Sequence, residues 1–262
     1  MKTCVLIPAY NAAKTLADVL QRIELPSSTD EIIVVDDGSR DETTQVAQTD
    51  PRVFLHQHPA NRGYGATSAT LYDLALQRGA DVTINVHADG AHFPEDIPVV
   101  MRPILAGQAE LVVGSRTRGI ISASPRVLGS RLIGASLLGP MPFHRFVSNL
   151  ALTAFQNLCY GTRFHTFHDG FRACTRQTLQ VVPYADLTTW YQYDTEFLLA
   201  AYERGVRIAE APVRSFYSPQ AGSATPPIAY GLRVVRHGLT YYLKQRKRSV
   251  GTIPVKQAQR SS

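Results

Sequence analysis

Two hydrophobic periods alternate along the first 113 residues, and nothing else in the chain limits its fold as much. Short apolar runs at 3–7, 31–35, 53–56, 81–86 and 111–113 read as buried strands. Between them lie stretches of helical spacing. Leu16, Val19, Leu20 and Ile23 follow Asn11 at i, i+3, i+4 and i+7, with Asn11 as the expected cap. Residues 41–47 predict a short helix, 66–77 a helix stopped at Gly79, and 94–105 a helix opened by Pro94. Strands alternating with helices predict an α/β fold, a mostly parallel sheet covered by helices on both faces.

The pattern then loosens. Residues 117–145 are rich in Gly, Ser, Pro and Arg, and 215–227 form a charge-free loop. Helices are predicted at 146–160, 194–204 and 230–247, and a strand at 206–213. The stretch between Arg145 and Arg163 is uncharged, but Ser148, Asn149, Thr153, Gln156 and Asn157 point to a helix in protein, not lipid. No segment reaches the roughly 20 apolar residues of a membrane span, and the opening run is too short for a signal peptide. The expected division is a domain at 1–229 followed by a basic helix and tail at 230–262, the last dozen residues disordered.

Charge is uneven. The net charge is +6, yet the segment after Glu210 holds nine basic residues and no acidic one, which leaves −3 on residues 1–210. A basic tail on a mildly acidic body suits an anionic surface, a membrane or phosphates, and is not the footprint of a nucleic-acid enzyme. Three cysteines far apart in sequence give no CxxC motif, and the odd count fits a reducing compartment. The expected location is cytoplasmic, extending to the inner face of the membrane.

In an open α/β sheet, ligands bind at the carboxyl ends of the strands. Four polar clusters fall there: Pro8-Ala9-Tyr10-Asn11, Asp36-Asp37-Gly38-Ser39, Asn61-Arg62-Gly63-Tyr64-Gly65 and His87-Ala88-Asp89-Gly90. One cluster alone would be a turn; four at one edge predict a site. Gly63-Tyr64-Gly65 lacks the third glycine of a dinucleotide fingerprint and follows the third strand, not the first. A P-loop lysine is missing as well. Hydride transfer and P-loop chemistry are thereby disfavoured.

These clusters, followed by Gly114-Ser115-Arg116, Gly170-Phe171-Arg172 and Asp194-Thr195-Glu196, come in an order that resembles family 2 glycosyltransferases of the GT-A fold. The likeness is greatest to the branch of dolichyl-phosphate mannose synthases and bacterial polyprenyl-phosphate hexosyltransferases, and it covers about residues 3–213. It implies nucleotide-sugar contacts at Pro8, Ala9, Tyr10, Val35, Asp37, Gly63, His87, Ala88, Asp89 and Arg116. Asp89 matches the last carboxylate of the family's D-x-D motif, which ligates Mg²⁺ or Mn²⁺, and Arg116 matches a residue near the donor phosphates. Such a reaction expels a nucleoside diphosphate, whose developing charge needs a cation.

The sequence departs from the family pattern in four places. His87 replaces the first Asp of D-x-D, Ala91 a metal-ligating Gln, and Ala12 a Glu, while basic residues expected around Gly222-Ser223 are missing. The oxygen cage is thinned, and His87 or His92 is a candidate ligand for Mn²⁺; the alternative is that His87 hydrogen-bonds the ribose. Asp169 is the candidate general base, or a structural partner of Arg172. Of Asp194 and Glu196, one is expected to face the site. Trp190, Tyr191 and Tyr193 form either an acceptor wall or core, and His165 with His168 lacks the third ligand of a zinc site.

The function expected from the resemblance is inverting transfer of a hexose from a nucleotide-diphosphate sugar to an acceptor, with a polyprenyl phosphate favoured. The alternatives are a hydroxyl acceptor on a soluble glycan or small molecule, and a non-catalytic sugar-nucleotide-binding protein.

Overall fold

A computed structural model of the chain describes residues 1–25, 27–115, 143–190, 192–214 and 227–251. Arg116, Tyr191, the last eleven residues and most of the expected loops at 117–145 and 215–227 lie outside the described residues. The chain forms two compact units, Met1–Phe146 with His165–Gly222, and Val147–Phe164 with Ser223–Ser262.

The first unit is built on seven strands: β1 (Thr3–Ala9), β2 (Glu31–Asp36), β3 (Val53–Gln57), β4 (Val82–Asn85), β5 (Leu111–Ser115), β6 (Arg172–Thr175) and β7 (Ile208–Pro212). Their order is β3-β2-β1-β4-β6-β5-β7. Only β6 runs antiparallel to its neighbours β4 and β5, so the expected mostly parallel sheet is found. The chain builds outward from β1 to β3, then crosses to β4 on the other side of β1. This reversal opens a crevice at the carboxyl ends of β1 and β4. Because β6 is reversed, residues 169–171, which precede it, arrive at that same edge; Asn85 pairs in register with Arg172.

Among the described residues the helices of this unit are α1 (Ala13–Arg22), α2 (Thr43–Gln48), α3 (Tyr64–Gln77), α4 (Ile97–Leu105), α6 (Arg176–Val181) and α7 (Tyr193–Glu203). Leu16, Val19 and Leu20 of α1 and Val100, Met101 and Ile104 of α4 pack on Val5, Ile7, Ile32, Val34, Ile84 and Val112. The opposite face of the sheet carries α3, which lies against β1, β2 and α7. Pro94 opens a single 3₁₀ turn, Pro94–Asp96, and α4 proper begins only at Ile97. Two expectations change. Asn11 does not cap α1: it adopts a left-handed φ of 49°, and the first N–H groups go to Thr43 Oγ1 (from Ala12, 2.7 Å) and Asp41 Oδ2 (from Ala13, 3.1 Å). β6, with the sequence RACT, has no counterpart among the predicted strands.

The second unit contains α5 (Phe143–Tyr160), counted from Val147, and α8 (Pro227–Gly251). The helices meet where α8 has a glycine: a Cβ on Gly238 would lie 2.9 Å from Phe155 Cε1 and 3.4 Å from Cys159 Sγ. Tyr160 Oη bonds His237 Nδ1 at 2.8 Å. The turn after α5 closes on Asn157, whose Oδ1 accepts from Phe164 N–H at 2.9 Å.

Candidate active site

The loops after β1 and β2 are tied to each other. Asp37 N–H donates to Ala9 O at 2.8 Å. Asn11 N–H donates to Ser39 Oγ at 2.8 Å, and Asn11 Oδ1 accepts from Arg40 N–H at 2.9 Å. Asp36, fully buried, accepts from Ser39 and from Thr44 Oγ1. Tyr10 is left with its ring exposed beside this seam.

Asp37 serves the protein itself. Its Oδ1 accepts from Arg62 N–H (2.9 Å) and His58 Nδ1 (2.8 Å), and its Oδ2 from Gly63 N–H (2.9 Å). A carboxylate with three such donors shapes the loop after β3 and presents the exposed Arg62 from it. The glycines of that loop answer to a close approach. Gly63 has φ 93°, and a Cβ there would lie 2.6 Å from Thr189 O. A Cβ on Gly65 would lie 2.1 Å from Thr188 O, while Gly65 N–H donates to Thr189 O at 2.8 Å. Residues 188–189 are thus clamped to the start of α3. Glu196 holds the same segment through Thr188 N–H at 2.9 Å.

The cluster after β4 divides by exposure. Asp89 is exposed and accepts from Ala91 N–H at 2.9 Å. Ala88 is buried, its carbonyl held by Thr15 Oγ1 at 2.6 Å. His87 is half-buried, its ring edge-on to His92 with centroids 5.1 Å apart. His87 Nε2 lies 3.3 Å from Tyr64 Oη, whose proton goes to Asp194 Oδ1 at 3.0 Å. Burial, with Asp194 beside it, holds the Tyr64 phenol well above its usual pKa, so the proton stays. Toward His87 the phenol oxygen therefore accepts. Nε2 carries the imidazole hydrogen and Nδ1 the lone pair. Burial and the neighbouring His92 pull the His87 pKa down, which keeps the ring neutral.

Two buried pairs lie behind His87. His92 Nε2 bonds Asp169 Oδ1 at 2.8 Å, and Phe171 N–H donates to the same oxygen at 3.2 Å. The His92 ring stacks on Phe171, and its Nδ1 has no hydrogen-bond partner among the described residues. Arg172, 2% exposed, pairs with Asp194 and lies over the Phe197 ring. Burial pulls the guanidinium pKa down, but Asp194 outweighs it and keeps the charge. Gly170 fits between the pairs and the site: a Cβ there would lie 2.1 Å from His87 Nε2.

Three sequence expectations are corrected by this geometry. Asp169 does not pair with Arg172, whose partner is Asp194. Nor is Asp169 open to an acceptor, since its side chain has no exposed surface. Val35 lines no pocket surface, being fully buried in the sheet. Of the other expected donor contacts, Tyr10 and Asp89 are exposed and Pro8 and His87 partly so, whereas Ala9, Asp37, Gly63 and Ala88 are buried. Asp194 is the residue of its pair that faces His87, through Tyr64. Trp190 is exposed and Tyr193 is core. His165 is bonded to Glu210. Sequence reading assigned no role to Tyr64 or to the Arg172–Asp194 pair. Tyr64 carried a signal in its place between the two glycines; Arg172 and Asp194 each stood in a motif of the sequence, but nothing there joined one to the other.

Residues 4–180 match the family described as Glycosyl transferase family 2. The chain belongs to this family. The UDP-N-acetylglucosamine–dolichyl-phosphate N-acetylglucosaminyltransferase of Methanococcus voltae is 27% identical over 245 residues, covering 87% of this chain and 91% of that protein. The polyprenol monophosphomannose synthase of Mycolicibacterium smegmatis is 27% identical over 218 residues, covering 81% and 76%. Among solved structures, glucosyl-3-phosphoglycerate synthase from Mycobacterium tuberculosis, in complex with Mn²⁺, UDP and glucosyl-3-phosphoglycerate, superposes with a TM-score of 0.61. It is 19% identical, covering 93% of this chain and 79% of that one, a likeness of fold: the sheet of this glycosyltransferase is a GT-A sheet. Among the described residues no three His, Cys, Asp or Glu side chains form a group that holds a metal ion.

Proposed function

We propose that this glycosyltransferase moves a hexose from a nucleoside-diphosphate sugar to a polyprenyl phosphate, inverting the anomeric carbon. The observation that carries the acceptor class is the sealed Asp169. A hydroxyl acceptor needs a base to take its proton, and the candidate base has no exposed oxygen. A phosphate monoester has a second pKa of about 6 and is already ionised near neutral pH. An acceptor oxygen forms the new bond to the anomeric carbon as the bond to the donor's β-phosphate breaks, and the nucleoside diphosphate departs. The names of the relatives from M. voltae and M. smegmatis, a dolichyl-phosphate transferase and a polyprenol monophosphate synthase, support the same class.

On the donor side, Tyr10 offers an exposed ring to the base and Arg62 an exposed guanidinium to the phosphates, positioned by Asp37. The donor set fits a divalent ion held chiefly by the substrate. Asp89 supplies one exposed carboxylate and His87 a neutral ring with its lone pair on Nδ1, and Mg²⁺-type sites take one or two carboxylates plus substrate phosphates. Such an ion would neutralise charge on the leaving diphosphate. Arg116, next after β5, is the further cation proposed for the phosphates.

The test is nucleotide release from a panel of UDP- and GDP-sugars with Mn²⁺, with and without a short-chain prenyl phosphate. Release that depends on the prenyl phosphate is the expected result. Release that depends instead on a sugar or glycerol hydroxyl overturns the acceptor. No release with any pair, while a nucleotide still binds, returns the protein to a sugar-nucleotide-binding role.

A further inference from the structure

We infer that the two-helix unit docks on an anionic lipid surface through apolar faces that it turns outward. In α5 one side departs from the usual arrangement, although Cys159 and Tyr160 are buried and Ser148 is exposed. Thr153 and Gln156 are buried, whereas Val147, Leu150, Ala151, Ala154 and Leu158 are exposed. Those five occupy i, i+3, i+4, i+7 and i+11, one face of the helix, with no polar residue among them. Leu158 is 77% exposed. In water this ordering is unfavourable, because apolar surface stays wet while polar groups are taken out of solvent.

α8 also leaves an apolar stripe exposed. Val234 and Gly238 are buried, and on the far side Leu232, Leu239 and Leu243 are exposed at i, i+7 and i+11. Arg236 stands within this stripe and Arg233 beside it, both exposed.

Charge selects the occupant. α5 has no acidic residue, and the segment after Glu210 holds nine basic residues and no acidic one; Arg214 pairs with Asp96 in the first unit, while Arg233 and Arg236 of α8 are exposed. A second copy would bring the same cationic segment against this one. Anionic headgroups complement it, and acyl chains accept the leucines, with arginine stems reaching back to the phosphates. No described helix is long and apolar enough to cross a membrane, so the unit lies in the interface. The inference deepens the polyprenyl-phosphate reading and rests on it for its purpose, since a lipid-borne acceptor is met at such a surface.

The experiment is co-sedimentation of the full chain with vesicles of phosphatidylglycerol and phosphatidylcholine, without donor or acceptor. Binding at low salt is expected, weaker on phosphatidylcholine alone. The pairs Leu150→Glu/Leu158→Glu and Leu232→Glu/Leu239→Glu should each lower partitioning by about tenfold or more. Arg233→Ala/Arg236→Ala should lower it by about tenfold and flatten its salt dependence. Failure of the unmodified chain to bind anionic vesicles overturns the inference, as does either glutamate pair binding as well as the unmodified chain. Two further results overturn it: a melting temperature several degrees lower in the glutamate pairs without lipid, which marks a face covered by the chain itself, or a lipid-free dimer that the pairs dissociate. Transfer to a water-soluble short prenyl phosphate is read in parallel. It should survive in the glutamate pairs, and its absence from the unmodified chain strikes the acceptor assignment while leaving docking untouched.

Discussion

His92 Nε2 and Asp169 Oδ1 lie 2.8 Å apart, with side chains 3% and 0% exposed. An asparagine at 169 keeps an oxygen able to accept from both His92 and Phe171 N–H. Asp169→Asn should therefore hold turnover within about tenfold, whereas loss of a general base costs 10²-fold or more on the order-of-magnitude scale for such groups. Steady-state transfer to a prenyl phosphate, with donor affinity measured by calorimetry, checks this. A collapse of turnover with donor binding intact would reinstate Asp169 as the base.

Asp37 holds two backbone N–H groups and His58 at once. In Asp37→Asn an amide nitrogen faces at least one of those donors. A buried group left without its partner costs about 1–3 kcal/mol, and the loop bearing Arg62 loses its anchor. We expect lower stability in denaturant titration together with weaker binding of a nucleoside diphosphate. Normal affinity in the variant would separate Asp37 from donor binding.

Gly170→Ala tests the seat of His87. The added methyl would occupy the place of the imidazole, at 2.1 Å from Nε2, so the ring must leave its bond to Tyr64. The expected outcome is a loss of metal-dependent nucleotide binding by about tenfold or more, alongside the 1–3 kcal/mol typical of overpacking. Binding equal to the unmodified protein would show that His87 is not needed where it stands.

Nucleoside diphosphate with Mn²⁺ should raise the melting temperature, since a ligand of the folded state stabilises it. Asp89→Ala should abolish only the part of that rise which EDTA also removes. An EDTA-insensitive rise in the unmodified protein would remove the metal from Asp89.

At the opposite edge of the sheet, Glu31 receives Lys2 and Arg78. Burial pushes its carboxyl up, but the hydrogen bonds from Arg78 and Lys2 outweigh burial and hold it below the ordinary 4.5. A depressed carboxylate pKa means stability that is present above the unfolded value and lost as pH falls through the folded one. Glu31→Gln should lower stability near pH 7 by up to about 1 kcal/mol and flatten its fall below about pH 4.5. Donor binding should be unchanged. Urea titrations from pH 7 to pH 3 read both effects.

The sheet was legible where a strand holds a run of apolar residues, 5–7 in β1 and 32–35 in β2. Runs such as 3–7 and 31–35 are covered on both faces, and nothing but burial explains them. β6 was not legible: Arg172–Thr175 opens on a charge, and only its pairing with β4 and β5 makes it a strand. The edge that carries the site was legible because its turns need Asn, Asp, Gly and Ser. How those side chains are used was not. Asp37 and Asp169 read as ligand-facing carboxylates, yet both are occupied by the protein's own donors. His92 lies far from Asp169 in sequence, and no local spacing announces their bond. In α5 the polar residues pointed to a helix in protein, but they do not share one side: Thr153 and Gln156 are buried and Ser148 is exposed, and only the burial pattern shows which face carries the wet apolar residues.

Arg172 also couples two parts of the fold. It opens β6, the strand that joins β4 to β5, and its charge is met by Asp194 on α7. A chain with β6 zipped into the sheet and α7 still detached would hold an uncompensated guanidinium in the interior, at a cost of several kcal/mol. Such a half-built species is too high in energy to accumulate. Closing the sheet and docking α7 become one cooperative step, so the amides of β4, β6 and α7 should exchange with solvent through a single shared opening.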